Sequence, residues 1–263
     1  MISEIIKNSR KIVIKIGSNT LSNNEGQINE ALLHNIGKQI HQLIQMHKQV
    51  VVVSSGARIA GTAAINKWLR KEDMHYKQAL CAIGQVELMN AYKQVFAQYS
   101  IHIGQMLLTR DDFLDSHRTL NIRNTLFTLV DEGVIPIVNE NDTVSVEEIT
   151  IGDNDSLAAY TANLWNADLL IMMSDIDGVY TKDPKNDKEA CLIKEINDID
   201  LVKTQIEMNG KSEFGTGGIQ TKIEAARKVN DYGIPMILSN GRKADILIDL
   251  LNNKECATLF LRR

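Results

Sequence analysis

Four short stretches of this chain combine glycine with lysine, serine, asparagine or aspartate in patterns suited to holding phosphate or carboxylate groups. In Lys15-Ile16-Gly17-Ser18 a lysine ends an apolar run, where it needs an anionic partner because burying a lone ammonium is costly. Gly17 can then offer backbone N–H groups to an anion. The same lysine also reads as an edge-strand side chain snorkelling to water. Ser54-Ser55-Gly56-Ala57 follows four valines and opens a helix expected at Arg58, whose free N–H groups would take a carboxylate or phosphate. A plain serine N-cap explains that turn equally well.

The third stretch pairs Asn139-Glu140-Asn141-Asp142, at the end of an apolar strand, with Gly152-Asp153-Asn154-Asp155 before a helix expected at Ser156. Open α/β sheets bind ligands at the carboxyl ends of their strands, where the first of these segments falls. Helix capping by Asn154 or Asp155, and a solvated loop at 139–142, are the competing readings. Neither segment has the spacing of a calcium loop. The fourth stretch, Gly215-Thr216-Gly217-Gly218-Ile219-Gln220-Thr221-Lys222, is a glycine-rich loop running into a helix. Glycines let backbone approach phosphate oxygens, and Lys222 adds a mobile positive charge.

Two familiar nucleotide signatures fail. Gly210-Lys211-Ser212 resembles the end of a Walker A loop, but Gln205 stands where its first glycine belongs, which leaves Lys211 a loop lysine. Gly17-Ser18-Asn19-Thr20-Leu21 is not a dinucleotide-binding glycine turn. His34, His41 and His47 form no metal-ligand pair and read as surface or interface residues.

Seven β-branched or apolar runs are spaced to position these motifs: Lys11–Ile16, Val50–Val53, Ile101–Leu108, Val134–Val138, Leu169–Met173, Ile234–Leu238 and Ala257–Leu261. Several lack polar alternation, as strands covered on both faces do. Helical spacing links Leu33, Ile36, Ile40, Leu43 and Ile44, and continues in Ala79–Gln98 and Ile219–Tyr232. The alternation predicts α/β architecture, a three-layer α/β/α sandwich around a mostly parallel sheet.

The 263 residues, 44% of them hydrophobic, suffice for a sizeable core. A net charge of −4 without any basic run argues against nucleic acid as a partner. Cys81, Cys191 and Cys256 have no metal-ligand spacing, which predicts a reducing compartment and three buried thiols. No signal peptide or membrane-length apolar run occurs, so the expected location is cytoplasmic, with no membrane partner.

Taken together, Lys15–Ser18, Ser55–Ala57, Asn139–Asp142, Gly152–Asp155 and Thr216–Lys222 resemble the amino acid kinase family. Aspartokinases open with KFGGTS, carbamate kinases with GGNAL and acetylglutamate kinases with double glycines. Here the openings are Gly17-Ser18 and Ser55-Gly56, similar to the branch that acts on free glutamate. The chain departs from that pattern at Arg58 and Thr150.

The resemblance implies ATP with Mg2+, no dedicated metal ligands, and transfer of phosphate to the side-chain carboxylate of L-glutamate at the start of proline biosynthesis. By the same resemblance Lys15, Asp155 and Lys222 would be catalytic, with Asp155 holding the two lysines. Ser55, Gly56, Ala57, Asn139, Asp142, Asp153 and Asn154 would bind the acceptor. Lys15, Gly17, Ser18, Ser174, Asp175, Thr216, Gly217, Gly218, Ile219, Gln220, Thr221 and Lys222 would bind ATP. It further implies one domain over residues 1–263, with a substrate lobe to about residue 165 and a nucleotide lobe beyond it, and no C-terminal PUA domain. Proline as feedback inhibitor and a homo-oligomeric assembly complete these expectations.

Overall fold

The structure is a computed structural model and describes residues 1–65, 73–145, 154–182, 184, 187–202 and 218–261. Its centre is an eight-stranded sheet in the order β3-β4-β2-β1-β5-β7-β8-β6. The strands are β1 (Lys11–Ile16), β2 (Gln49–Ser54), β3 (Ile103–Leu108), β4 (Ile135–Glu140), β5 (Leu169–Ser174), β6 (Glu195–Ile196), β7 (Met236–Asn240) and β8 (Thr258–Phe260). Every pairing is parallel except β7 with β8. The predicted mostly parallel α/β sandwich is therefore the observed fold, with a two-residue strand, β6, added to the seven expected.

Period-two alternation divides each central strand between two cores. Ile12, Ile14 and Ile16 join Val50 and Val52 on one face, while Val13 joins Val51 and Val53 on the other. The first core is covered by α1 (Ile2–Asn8), α3 (Glu30–Gln45), α5 (Met74–Ala97) and α9 (Ile246–Leu251). The second is covered by α6 (Ser116–Asp131), α7 (Asn154–Trp165) and α8 (Ile219–Asn230). Lys15 shares the parity of Val13, so the strand carries it to the face of α7 and α8.

Two short helices start at the strand ends: α2 (Ser18–Leu21) after β1, and α4 (Ala57–Ala64) after β2. The chain runs from β1 to β2 on one side, and β5 pairs on the other. This reversal opens a crevice at the carboxyl ends of β1, β2 and β5, the position at which open α/β sheets bind ligands.

Helix α5 buries Leu80, Cys81, Gly84, Gln85, Leu88, Tyr92, Val95 and Phe96, one helical stripe. Its Asp73 cap accepts hydrogen bonds from the backbone N–H groups of His75 and Tyr76. Cys81 is buried as expected, but Cys191 and Cys256 are exposed: they lie outside the regular strands and helices, where no packed face covers them. Among the three histidines of α3 and its end, His47 is exposed and His41 stacks on Tyr99 at 4.4 Å between ring centres. Among the described residues no helix is long and apolar enough to cross a membrane.

Candidate active site

At the crevice, the β1 lysine and the first turn of α7 meet. Lys15 is 6% exposed and Asp155 1% exposed, and Lys15 Nζ lies 2.6 Å from Asp155 Oδ1. Lys222, in the first turns of α8, places Nζ 3.1 Å from Asp155 Oδ2, and the Thr221 hydroxyl lies 2.7 Å from the same oxygen. One carboxylate thus bridges two buried ammonium groups. The lysine does not snorkel: it is committed to an anion, which offsets the cost of burying its charge.

Asn154, one residue earlier, works in the opposite direction. Its Nδ2 donates to Ser55 Oγ at 2.8 Å and to Asn139 Oδ1 at 3.0 Å, tying α7 to the ends of β2 and β4. Both Asn154 and Asp155 lie inside α7, which starts two residues before the expected Ser156, and they are spent on tertiary contacts rather than simple capping. Helix α4 likewise starts at Ala57, one residue early. Its cap is Gly56 at φ 108°, a left-handed conformation that favours glycine, rather than a serine. Ser55 is buried, freed from capping to receive Asn154.

Asn139 and Asp142 are buried and Asn141 half-buried, so the solvated-loop reading of this strand end fails. Gly17 starts α2, where its N–H donates to Met173 O at 3.2 Å, and Ser18 opens that helix. On the other side of β1, Ser174 Oγ donates to Asp175 Oδ1 at 3.1 Å, and Asn19 Nδ2 donates to Asp175 Oδ2 at 3.2 Å. Gly218 caps α8, followed by Ile219 and Gln220 in its first turn. Asp153, Thr216 and Gly217, together with Thr150 and Lys211, lie outside the described residues.

A model of the amino acid kinase family matches residues 10–240. The chain belongs to the amino acid kinase family. Among curated relatives of this amino acid kinase, the glutamate 5-kinase of Alkaliphilus metalliredigens (strain QYMF) is 65% identical over 260 residues, covering 99% of this chain and 98% of the relative. The glutamate 5-kinase of Alkaliphilus oremlandii (strain OhILAs) is 62% identical over 262 residues, with full coverage of both chains. Among solved structures, the carbamate kinase from Giardia lamblia bound to AMP-PNP superposes with a TM-score of 0.68 at 14% identity, covering 98% of this chain and all of that one. At so low an identity this is a likeness of fold.

Electrostatics separate the two halves of the kinase site. Burial works to raise the pKa of Asp155, but Lys15 and Lys222, with hydrogen bonds from Lys15 and Thr221, outweigh it and hold the group at about 2. The carboxylate is firmly ionised. Burial pushes the Lys222 ammonium below the ordinary lysine range, and Asp155 counters that push while Lys15 adds to it. Two buried cations share one buried anion, with Asp175 acting on Lys222 from farther off, and such paired ammonium groups suit a polyanion.

Asp142 behaves differently. Burial raises it to about 6, opposed by a hydrogen bond from Cys81 and by the charge of Arg58. A carboxylate in that state gains from a cationic partner.

Several site residues escaped sequence reasoning. Asn19 braces Asp175, and Arg242 donates to Asn19 O at 2.6 Å through one Nη. Gln85 accepts from Asn139 Nδ2 at 2.8 Å. For Gln85 a signal existed: it is a polar residue on the buried stripe of an otherwise apolar helix face.

Proposed function

We propose that the protein catalyses ATP-dependent phosphorylation of the side-chain carboxylate of L-glutamate, the first step of proline biosynthesis. The adjacency of Asn154 and Asp155 carries this reading. One residue ties the acceptor-side cluster of Ser55 and Asn139, and the next holds the lysine pair. The identity of 62% to 65% to glutamate 5-kinases over the whole chain supports glutamate as the acceptor.

The acceptor carboxylate has an ordinary pKa of about 4.3 and is ionised near neutrality, so no general base is required. Its oxygen forms a bond to the γ-phosphorus while the bond from that phosphorus to the bridging oxygen breaks, and the electron pair leaves with ADP. The obstacle is bringing an anion to a polyanion, and catalysis rests on positioning and charge neutralisation. Lys15 and Lys222 would neutralise the phosphates, with Asp155 keeping both ammonium groups aimed at them. Backbone N–H groups at Gly56 and Gly218 would receive oxygens, whereas the N–H of Gly17, expected from the sequence to do so, is committed to Met173 O. Ser174, Asp175, Ile219, Gln220 and Thr221, with Thr216 and Gly217, would line the nucleotide.

Ser55, Gly56, Ala57, Asn139 and Asn154, with Asp153, would hold the acceptor, and Asp142 its ammonium. Magnesium carried on the nucleotide would screen phosphate charge. Among the described residues no group of three or more His, Cys, Asp or Glu gathers around an ion, and both Asp155 oxygens face lysine. The residues present fit an ion that would be held by phosphate and water, with no dedicated protein ligand.

We place the acceptor lobe at residues up to about 165, with β1 to β4, and the nucleotide lobe beyond it, with β5 to β8. A cytoplasmic location suits the exposed free thiols of Cys191 and Cys256. A homo-oligomer suits α5, which leaves Val86 exposed. Proline inhibition is part of the same proposal.

The deciding experiment is an assay of ATP with L-glutamate, hydroxylamine trapping the acyl phosphate, run beside aspartate, N-acetylglutamate and UMP, and repeated with proline. Hydroxamate from glutamate well above the other acceptors is expected. ADP formation with another acceptor alone, or glutamate binding without any turnover, would overturn the assignment.

A further inference from the structure

Gln85 sits on the buried stripe of α5, 8% exposed, and its two amide atoms have different fates. Oε1 accepts from Asn139 Nδ2 at 2.8 Å. Asn139 Oδ1 in turn accepts the backbone N–H of Glu140 at 2.9 Å and Nδ2 of Asn154 at 3.0 Å. The backbone N–H can only donate, so it fixes which way the Asn139 amide points, and Asn139 then fixes Gln85. The result is a polarised relay, Ser55–Asn154–Asn139–Gln85, whose last atom is Gln85 Nε2. That nitrogen is buried and has no partner among the described residues.

A buried NH2 group without an acceptor is unfavourable and uncommon. Relay geometry does not explain why it is kept: a glutamate at position 85 would accept from Asn139 equally well. Glutamine differs from it in two ways: it adds the donor, and it avoids burying a further charge beside Glu140 and Asp142. Gln85 lines a cavity of about 400 Å3 between α5, β3 and the end of β4, and Cys81, Glu140 and Asp142 belong to the same lining. The carboxylate of Asp142 and the amide of Gln85 thus border one cavity. Those two groups complement an ammonium and a carboxylate on one carbon.

We propose that Gln85 Nε2 donates to the α-carboxylate of the acceptor amino acid, beside Asp142 on its ammonium, and so selects acceptors that carry an α-amino-acid end. This rests on the glutamate-kinase reading above. Through Asn139 and Asn154, the same contact links recognition of that end to the residue preceding Asp155.

The test compares wild type with Gln85→Glu, which keeps the acceptor for Asn139 and removes the donor, and with Gln85→Met, which removes both. Assays run at about pH 8, where an introduced carboxyl is ionised. Glutamate analogues serve as competitors: glutarate keeps the carboxylate and lacks the ammonium, whereas 4-aminobutyrate keeps the ammonium and lacks the α-carboxylate. For Gln85→Glu, the KM for glutamate should rise about 10- to 100-fold, with KM for ATP within about 2-fold. Inhibition by glutarate should weaken in parallel, while inhibition by 4-aminobutyrate stays as in wild type.

An unchanged glutamate KM, or an equal penalty on 4-aminobutyrate, would overturn the proposal and leave Gln85 a brace for Asn139. If Gln85→Glu does not fold, Gln85→Met must show the same split between the two analogues. A wild-type enzyme inactive on glutamate would instead overturn the functional reading itself, and this proposal with it.

Discussion

Lys15 Nζ and Asp155 Oδ1 lie 2.6 Å apart, joining the central strand to the first turn of α7 with both side chains almost wholly buried. Asp155 also holds Lys222, so Asp155→Asn leaves two buried ammonium groups facing each other without an anion. Breaking a buried pair from one side costs about 3–5 kcal/mol, and turnover should fall at least about 100-fold. The pH dependence has a definite sign. The folded pKa of about 2 lies below the ordinary aspartate value of 3.8, so this group contributes stability above about pH 4, and that contribution is lost as pH falls toward 2. The shift corresponds to about 2 kcal/mol. Denaturant titrations between about pH 2 and pH 6 should show that loss in wild type and not in Asp155→Asn.

Lys222 and Asp142 should fail in different ways. On the proposed assignment Lys222 would contribute charge to the phosphate side, so Lys222→Ala should lower kcat about 100- to 1,000-fold while glutamate binding stays measurable. Asp142→Ala should chiefly raise the KM for glutamate. Steady-state kinetics with calorimetric glutamate binding distinguishes the two, and equal small effects from both would remove the assignment of roles.

Much of this arrangement could be read from residue types. Lys15 inside an apolar run read either as paired with an anion or as snorkelling to water, and the polar cluster at Asn139–Asp142 stood where packing alone has no use for it. What the chain order hides is partnership. Nothing local says that Asn154 and Asp155 turn to opposite sides, because that depends on where β2, β4 and α8 lie around α7. Gln85 was missed because a single polar residue on a helix has meaning only when its Asn139 partner is known. Strand β6 has two residues and α6 buries only Ile122 and Leu126, too little periodic signal for either. Cys191 and Cys256 defied the burial habit of free cysteine because they sit outside the regular elements, where neighbours such as Ala257 take the core positions instead.

Acidification should weaken glutamate use through Asp142. Burial raises its pKa to about 6 against the Cys81 hydrogen bond and the Arg58 charge. Only the ionised form holds an ammonium, so kcat/KM for glutamate should fall about 10-fold per pH unit below 6, and Asp142→Asn should flatten that limb. For stability the sign is opposite to that of Asp155. A folded pKa above the ordinary aspartate value of 3.8 favours the protonated native state, so this contribution is fully present below about pH 4 and lost as pH rises through about 6. A glutamate profile that stays flat down to about pH 5 would remove Asp142 from the ammonium role.

The turn after β2, proposed to hold the acceptor, is held in place by two helices whose backbones touch. A Cβ at Gly84 of α5 would lie 1.8 Å from Ala57 O and 2.3 Å from Gly61 N, and one at Gly61 of α4 would lie 1.9 Å from Leu80 O. These obstacles are backbone atoms with no rotamer to change, so Gly84→Ala must push α4 away from α5. Overpacking of this kind costs about 1–3 kcal/mol. The displaced helix begins with Ala57, directly after the left-handed Gly56 cap, so the strain is delivered to the acceptor side of the crevice. The proposed nucleotide side would hang from β1, β5 and α8, none of which is among the nearest neighbours of a Cβ at Gly84. Gly84→Ala should therefore lower the melting temperature and raise the KM for glutamate several-fold, with KM for ATP within about 2-fold of wild type. A matching rise in both constants would mean that α4 and α5 support the whole crevice rather than its acceptor wall.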